Sequence, residues 1–303
     1  LTSLNYPFRI PTLFITTLRG EPGLVDEPQH ELMGRITLQL LDVMEISHGP
    51  FPTDSNAVQN ALEMADEMMT QTSLPYALTM SKGSVSDSPA PPVQTTPSNP
   101  GQVYRYDDAT AYPTRMASLE HLLSVIPDSA CVIATTGKCG RELFTLADRE
   151  QHLYQVGSMG CAAAMGLGVA LNTERPTIVI DGDGALMMKM GSLATTGSYA
   201  PKNLIHIVLD NETYDSTGGQ PTVSPGIDFA QIAASSGYVQ SYQCTSLAGY
   251  DKALSHSLSK PGPHLIHLKI DQGSAKNLGR PTIKPADVAR RFKNFLISEV
   301  APV

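Results

Sequence analysis

Two short apolar runs, separated by a helix-length segment, constrain the fold of this chain more than any other feature. The first run, Thr177 to Ile180, leads into the turn sequence DGDG at residues 181–184, and the second, Leu204 to Leu209, ends just before Asn211. Both runs are rich in branched aliphatic residues and are bounded by turn residues, which is typical of buried parallel strands. The pattern therefore predicts a β-α-β unit in which Asp183 and Asn211 follow the carboxyl ends of two strands.

Polar side chains at these strand ends indicate a ligand site. Sheets of the α/β class bind their ligands at the carboxyl ends of parallel strands. A carboxylate and an amide oxygen suit Mg²⁺, which takes few protein ligands and relies on substrate phosphates for the rest. Gly182 and Gly184 would let a diphosphate approach the backbone. Gly-Asp-Gly is also ordinary turn chemistry, so two strand-end turns without a ligand are the alternative.

The combination of the two turns resembles the signature of thiamine diphosphate enzymes, because an asparagine follows the Gly-Asp-Gly aspartate by 28 residues and each comes after a strand. In that family the aspartate, the asparagine and a backbone carbonyl two residues further on hold the metal. The resemblance implies Asp183, Asn211 and the carbonyl of Thr213 as Mg²⁺ ligands. It also implies that five residues of these turns bind the cofactor: Gly182, Asp183, Gly184, Ala185 and Asn211.

A glycine-rich loop before the predicted helix Cys161 to Leu171 is a second cofactor candidate. The family counterpart of this loop lines the aminopyrimidine ring of thiamine diphosphate. The resemblance implies cofactor contacts for Gly157 and Ser158, and for Met159 the role of the apolar side chain that holds the cofactor in a bent shape. A helix start with glycine and serine needs no ligand, and a methionine often fills a core, so this alternative stays open.

The loop at residues 135–138, TTGK, ends an earlier predicted strand and is a third candidate. Backbone N–H groups and threonine hydroxyls at such a loop bind diphosphate oxygens. We therefore assign Thr136 and Gly137 to the cofactor. Lys138 is either a further donor to the diphosphate or a solvated surface charge.

A stretch rich in proline, serine and glycine divides the chain. It runs from Ser81 to about Gly101, and we predict a linker over residues 81–110, between a first part at 1–80 and a second at 111–303. Alternation of strands and helices predicts an α/β fold with two doubly wound parallel-sheet domains, the first of them incomplete in this chain. In the first part, Ile10 to Thr17 has the pattern of a buried strand. In the second, His264 to Ile270 is expected to close the sheet.

Composition excludes several classes of partner. The net charge is −8 and the pI about 5.4, so nothing favours nucleic acid or an anionic membrane surface. No apolar run approaches the roughly 20 residues of a membrane span. The four cysteines form no Cys-x-x-Cys pair and indicate a reducing compartment, so we expect a cytoplasmic protein.

Further segments resemble the phosphonopyruvate decarboxylases, with the sulfopyruvate decarboxylases as close relatives. They occur in the family's order over nearly the whole chain: RGEPG at 19–23, DEPQHELMG at 26–34, TTGK at 135–138, RELF at 141–144 and LDNETYDSTGGQPT at 209–222. The resemblance implies the thiamine diphosphate-binding fold and a carboxy-lyase that converts 3-phosphonopyruvate to phosphonoacetaldehyde and CO₂. It further implies phosphonate and antibiotic biosynthesis, and a homodimer or higher homo-oligomer whose active site forms between subunits.

Candidate substrate residues lie on loops of the first part that face the thiazolium ring in this fold. A phosphonate needs cationic or N–H donors, and a planar guanidinium suits it best. We therefore predict that Arg19, Gln29 and His30 contact the 2-oxo acid. The alternative is an arginine that stabilises a turn and a surface histidine. Residues 216–219, STGG, are expected to form a mobile lid, because glycines absorb backbone changes.

One family residue has no counterpart here. The family has a catalytic glutamate in the first half of the pyrimidine domain, and no glutamate of this chain matches it. We expect it upstream of Leu1, in a polypeptide of roughly 400 residues, and assign no catalytic residue in this chain. Two alternatives remain: a decarboxylase of sulfopyruvate or another 2-oxo acid, and a non-catalytic subunit or fragment that binds thiamine diphosphate.

Overall fold

A computed structural model describes residues 1–90, 100–108 and 111–298. The chain divides into two compact units, Leu1–Thr95 and Thr96–Val303. Part of the predicted linker, 91–99 and 109–110, lies outside the described residues. Within the described part, the linker prediction is wrong at Gln102–Tyr106, which forms a strand. The alternating tyrosines of this strand stack on a third tyrosine of the neighbouring strand, a pairing that local composition does not reveal.

The first unit is a three-stranded parallel sheet with helices packed on it. The strand order is β1-β3-β2, and both pairings are parallel. Its elements, in chain order, are α1 Asn5–Phe8, β1 Leu13–Thr17, the 3₁₀ turn Pro28–His30, α2 Glu31–Val43, β2 Ser47–Pro50, the 3₁₀ turn Ser55–Ala57, α3 Val58–Thr72 and β3 Tyr76–Met80.

Alternate residues of β3 divide the apolar core of this unit between the two faces of the sheet. Ala77 packs with Leu41 of α2 on one face. Tyr76 and Leu78 pack with Ala65 of α3 on the other. The sheet therefore carries a helix on each face, as predicted for a doubly wound fold.

The strand predicted as buried over Ile10 to Thr17 is shorter and half exposed. It begins at Leu13, lies at the edge of its sheet and alternates between exposed and half-buried positions. Ile15 is 54% exposed. An apolar sequence favours a strand, but whether both faces are covered depends on neighbours that the strand does not encode.

The second unit is a seven-stranded sheet with the order β4-β11-β12-β8-β7-β5-β6, in which every pairing is parallel. Its first elements are β4 Gln102–Tyr106, α4 Arg115–Val125, β5 Cys131–Ala134, α5 Lys138–Leu146, β6 His152–Tyr154, α6 Ala162–Ala170, β7 Thr177–Gly182, α7 Asp183–Met188, α8 Gly191–Tyr199 and β8 Leu204–Asp210. The remaining elements are β9 Thr213–Tyr214, β10 Gln220–Pro221, the 3₁₀ turn Ser224–Gly226, α9 Phe229–Ser235, β11 Gln240–Cys244, α10 Leu247–Ser259, β12 His264–Lys269 and α11 Pro285–Ile297. The α/β prediction is confirmed.

Two details of the second unit differ from the prediction. The strand at 264–269 does not close the sheet but lies inside it, between β11 and β8, because β4 and β11 extend the sheet beyond it. The single helix expected between β7 and β8 is two helices. Lys189 leaves the helical region at the end of α7, and α8 starts afresh at Gly191.

The centre of the sheet is buried on both faces, and its buried residues include His206 and Asp181 as well as aliphatic side chains. Every residue of β8 is buried, and so is every residue of β7 except Gly182 at its end. Among the helices that the structure describes, none combines the length and hydropathy of a membrane-spanning segment.

Candidate functional site

A cavity of about 270 Å³ opens at the carboxyl ends of β5, β7 and β8. The chain runs from β5 outward to β6 and returns to β7 on the other side of β5, so the cavity lies where the strand order reverses. This is the ligand position of open α/β sheets. It brings together most of the predicted cofactor and metal residues: Thr136, Gly137, Met159, Gly182, Asp183, Gly184, Ala185, Asn211 and Thr213.

Two predicted cofactor residues, Gly157 and Ser158, are not among the residues that line the cavity. The helix predicted over Cys161 to Leu171 forms over Ala162–Ala170. Three residues of the preceding loop, Gly157, Ser158 and Gly160, lie in the left-handed backbone region. The side chain of Gln155 fixes the loop by donating to the Ser158 carbonyl at 2.8 Å.

The three predicted substrate residues belong to the first unit, and two of them, Arg19 and His30, contact the carboxylate of Asp26. Arg19 donates from Nε and Nη2 to the two oxygens of Asp26 at 2.8 and 2.5 Å, and His30 Nδ1 lies 3.2 Å from Asp26 Oδ1. The hydrogen bond from Arg19 holds the pKa of Asp26 well below its usual range. Gln29 is exposed. The ion pair fits the turn-stabilising alternative, and substrate contact by Arg19 stays a prediction.

Asp183 begins α7 at the floor of the cavity and is only 2% exposed. Its Oδ2 accepts a 2.6 Å hydrogen bond from the hydroxyl of Thr222. Burial raises the pKa of the Asp183 carboxyl, and this hydrogen bond opposes the rise. The donors to this buried carboxylate, among them the Thr222 hydroxyl and the Gly184 backbone N–H, are neutral, so it lacks a compensating charge, which a cation in the cavity would supply.

Asn211 is held with its amide nitrogen turned toward Asp215. Its Nδ2 donates to Asp215 Oδ2 at 2.8 Å, which leaves Oδ1 as the acceptor atom of the amide. Thr213 Oγ1 donates to the other oxygen of Asp215 at 3.1 Å. The Asp215 carboxylate therefore fixes both Asn211 and Thr213, the two predicted metal ligands that follow β8.

A buried arginine anchors Asp215 from the far side. Arg115 Nη2 donates to Asp215 Oδ2 at 2.8 Å, and Nη1 reaches Glu142 Oε1 at 3.3 Å. Arg115 is 5% exposed and Glu142 is fully buried. Burial raises the pKa of Glu142, and the nearby Arg115 charge opposes the rise. No motif marks Arg115 in the sequence, because it stands alone at a helix start with no pattern around it.

The cavity also fits a bound diphosphate. The hydroxyl of Thr135 lines it, is buried and has no hydrogen-bond partner among the described residues. It lies beside the first turn of α5, whose free N–H groups favour anions. Position 184 requires glycine because the Tyr214 ring packs closely against its backbone. A Cβ there would lie 2.3 Å from Tyr214 Cε1. Gly137 has φ +101°, which disfavours any other residue.

The ligand set around Asp183 suits a hard cation. Within residues 1–90, 100–108 and 111–298, no group of three His, Cys, Asp or Glu side chains is arranged to hold a metal. A cation at Asp183 would therefore also use the Asn211 amide oxygen and backbone carbonyls. Oxygen ligands of this kind suit Mg²⁺.

A cysteine forms part of the cavity wall. Cys139 lines the cavity, and burial raises the pKa of its thiol to about 12, against the opposing effect of the Arg115 charge. A thiol with this pKa stays protonated near neutral pH and is no nucleophile.

Comparison with known proteins first identifies the class of protein to which the second unit belongs. This class agrees with the geometry of the cavity. Residues 136–268 match the family model of thiamine pyrophosphate enzymes, C-terminal TPP binding domain, where thiamine pyrophosphate is the same compound as thiamine diphosphate. The match includes the predicted residues Asp183 and Asn211. The second unit thus contains a thiamine diphosphate-binding domain.

Similarity over the whole chain narrows the class. The chain is 49% identical to a phosphonopyruvate decarboxylase of Streptomyces viridochromogenes, over 99% of this chain and 76% of the relative. It is 46% identical to a phosphonopyruvate decarboxylase of Streptomyces hygroscopicus, over 97% and 74% respectively. A sulfopyruvate decarboxylase subunit beta of Methanothermobacter thermautotrophicus is 37% identical over 53% of this chain and 84% of the relative. The chain belongs to the phosphonopyruvate decarboxylase family.

Proposed function

We propose that this chain catalyses the thiamine diphosphate- and Mg²⁺-dependent decarboxylation of 3-phosphonopyruvate to phosphonoacetaldehyde and CO₂. The observation that carries this proposal is the 49% identity with a phosphonopyruvate decarboxylase over 99% of the chain. The cavity at the strand ends supports the cofactor part, because it combines a buried carboxylate, an oriented amide and an unpartnered hydroxyl.

In this proposal the cofactor supplies the electron sink for the loss of CO₂, and the chain binds and orients it. Asp183, the Asn211 amide oxygen and the Thr213 carbonyl would hold Mg²⁺, and the cation would offset the negative charge of the diphosphate. A second set of groups receives the diphosphate oxygens: the Thr135 and Thr136 hydroxyls, Lys138 and the backbone of Gly137 and Gly184. Met159 lines the cavity and supports the cofactor ring. Gly157 and Ser158 remain proposed contacts of the aminopyrimidine.

A direct assay tests the proposal. The full-length protein with thiamine diphosphate and Mg²⁺ is expected to release an aldehyde from phosphonopyruvate at an ordinary enzymatic rate, on the order of 1 s⁻¹ or more. Sulfopyruvate and pyruvate serve as competitors in the same coupled aldehyde assay. Faster turnover of sulfopyruvate would favour the second candidate, which the identity with a sulfopyruvate decarboxylase subunit supports. Cofactor binding without turnover of any of the three acids would favour a non-catalytic subunit.

The substrate contact is tested by Arg19→Ala. If Arg19 binds the phosphonate, kcat/KM should fall roughly ten- to hundredfold more for phosphonopyruvate than for pyruvate, because pyruvate lacks the anionic tail and a charge-assisted contact is lost. Steady-state kinetics on both acids measure the difference. Asp26→Asn is the matched control, since it loosens the same loop and keeps the guanidinium. Equal losses for both acids in Arg19→Ala would identify a structural arginine.

We also propose a homo-oligomer in the cytoplasm that acts in phosphonate and antibiotic biosynthesis. Exposed apolar side chains of the first unit, such as Ile15 and Val43, support burial against another chain. Four free cysteines support a reducing compartment. The proposed product is an aldehyde that carries a phosphonate group, and this supports a role in phosphonate biosynthesis.

A further inference from the structure

The residues proposed to hold Mg²⁺ after β8 belong to one leg of a closed hairpin. Strands β9 and β10 pair antiparallel, with Thr213 opposite Pro221 and Tyr214 opposite Gln220. The N–H of Thr222 donates to the carbonyl of Glu212 at 2.8 Å and closes the base. The first leg therefore carries Asn211 and Thr213, and the second leg ends at Thr222.

Thr222 reaches from the base of this hairpin to the neighbouring strand end. Its Oγ1 donates to Asp183 Oδ2 at 2.6 Å, although the two residues are 39 positions apart. Thr222 is 8% exposed, so no bulk water competes strongly for its hydroxyl. A hydrogen bond from a hydroxyl to a buried carboxylate is of the strong, charge-assisted kind.

The surroundings of Thr222 direct its single hydroxyl proton to Asp183. Ser224 donates its own hydroxyl proton to Asp210 Oδ1 at 2.7 Å, and its N–H points at Thr222 Oγ1 at 3.3 Å. Since a hydroxyl has one proton, Thr222 accepts from the Ser224 backbone and donates to Asp183. Its 3.1 Å contact with Ser224 Oγ is longer than the 2.6 Å contact with the carboxylate.

Asp210 is in turn held by a histidine and a lysine. Its Oδ2 accepts from His267 Nε2 and from Lys269 Nζ, each at 2.8 Å. The network therefore ends on a fully buried carboxylate that directly precedes Asn211.

We propose that Thr222 is a positioning residue for the metal site, an inference that rests on the cofactor part of the proposed function. Its hydroxyl fixes Oδ2 of Asp183, whose carboxyl also accepts from the Gly184 backbone N–H. Because Thr222 closes the same hairpin that carries Asn211 and Thr213, it couples the carboxylate on α7 to the two ligands after β8. The hairpin and Asp183 then form one preorganised unit.

Variants that lack the Thr222 hydroxyl test the inference. The readout is metal-dependent cofactor binding, and no turnover needs to be measured. Isothermal titration of the full-length protein with thiamine diphosphate, at fixed Mg²⁺ and then at fixed Mn²⁺, measures the affinity. Thr222→Val keeps the shape and should weaken the metal-dependent affinity about 10- to 100-fold, as loss of a residue that orients a metal ligand does. Thr222→Ser keeps the hydroxyl and should restore most of the affinity.

Two further variants keep the test decisive. Thr177→Val is the matched control, because Thr177 is a buried threonine at the opposite end of β7, and its variant should bind like the wild type. Thr222→Ala replaces the valine variant if circular dichroism shows that the latter is unfolded. Wild-type affinity in a folded Thr222→Val or Thr222→Ala protein would overturn the inference and leave the cofactor assignment standing. A wild type that binds no thiamine diphosphate would overturn both.

Discussion

Asp183→Ala is expected to abolish Mg²⁺-dependent binding of thiamine diphosphate. The substitution removes the carboxylate proposed to join the cation to the protein, and the remaining ligands, an amide and a carbonyl, carry no charge. Isothermal titration with and without Mg²⁺ measures the effect. Wild-type protein should bind tightly only when the metal is present, and the variant should bind equally weakly in both conditions.

The control for this prediction is a carboxylate of the same unit that is not among the residues lining this cavity. Asp128 is almost fully exposed, and its ion pair with Arg149 is long, at 3.8 Å. Asp128→Ala should therefore keep the metal-dependent affinity of the wild type. Retention of that affinity by Asp183→Ala would contradict the assignment of the metal site.

Arg115→Met is expected to lower the free energy of unfolding by about 3–5 kcal/mol, because removing one partner of a buried ion pair leaves a charge without compensation. Arg115 joins Asp215 and the fully buried Glu142, so both carboxylates lose their cationic partner. Urea denaturation of the cofactor-free protein, followed by circular dichroism, measures the loss.

Two comparisons separate this effect from a general cost of losing an arginine. Arg290→Met breaks an exposed ion pair with Asp287 and should cost no more than about 1 kcal/mol. Adding Glu142→Gln to Arg115→Met removes one stranded charge and should recover part of the stability. A loss in Arg115→Met no larger than that in Arg290→Met would show that the buried network is not important for stability.

Elements with a strong local pattern could be predicted closely from the sequence. The strands Thr177–Gly182 and Leu204–Asp210 and the helix Ala162–Ala170 lie where the pattern predicted them. Each combines an apolar run with turn residues at its ends, so the local preference and the tertiary packing agree.

Elements whose stability comes from neighbours were missed. The strand Gln240–Cys244 has the polar sequence QSYQC, and it exists because it pairs with β4 on one side and β12 on the other. The helix Lys138–Leu146 follows directly from the TTGK loop without a capping side chain. Pairing partners and packing surfaces of this kind lie far away in the chain, and local periodicity does not encode them.

The residues of the candidate site divide in the same way, into those that a local pattern marks and those that only the fold brings together. The residues of the Gly-Asp-Gly turn and Asn211 could be identified, because their spacing from predicted strands is a local property. The contact of Thr222 with Asp183 and that of Arg115 with Asp215 could not, since each joins segments 39 or 100 residues apart. Single polar residues in such contacts carry no repeat or motif that marks them in advance.

The cavity wall at Cys139 has a consequence for oxidative stress. With a pKa of about 12, the thiolate fraction near pH 7 is on the order of 10⁻⁵, and the thiolate is the form that peroxides and alkylating reagents attack. The Cys139 sulfur beside the proposed diphosphate site therefore reacts slowly with these reagents. We therefore expect peroxides and alkylating reagents to modify Cys139 more slowly than a free thiol of ordinary pKa.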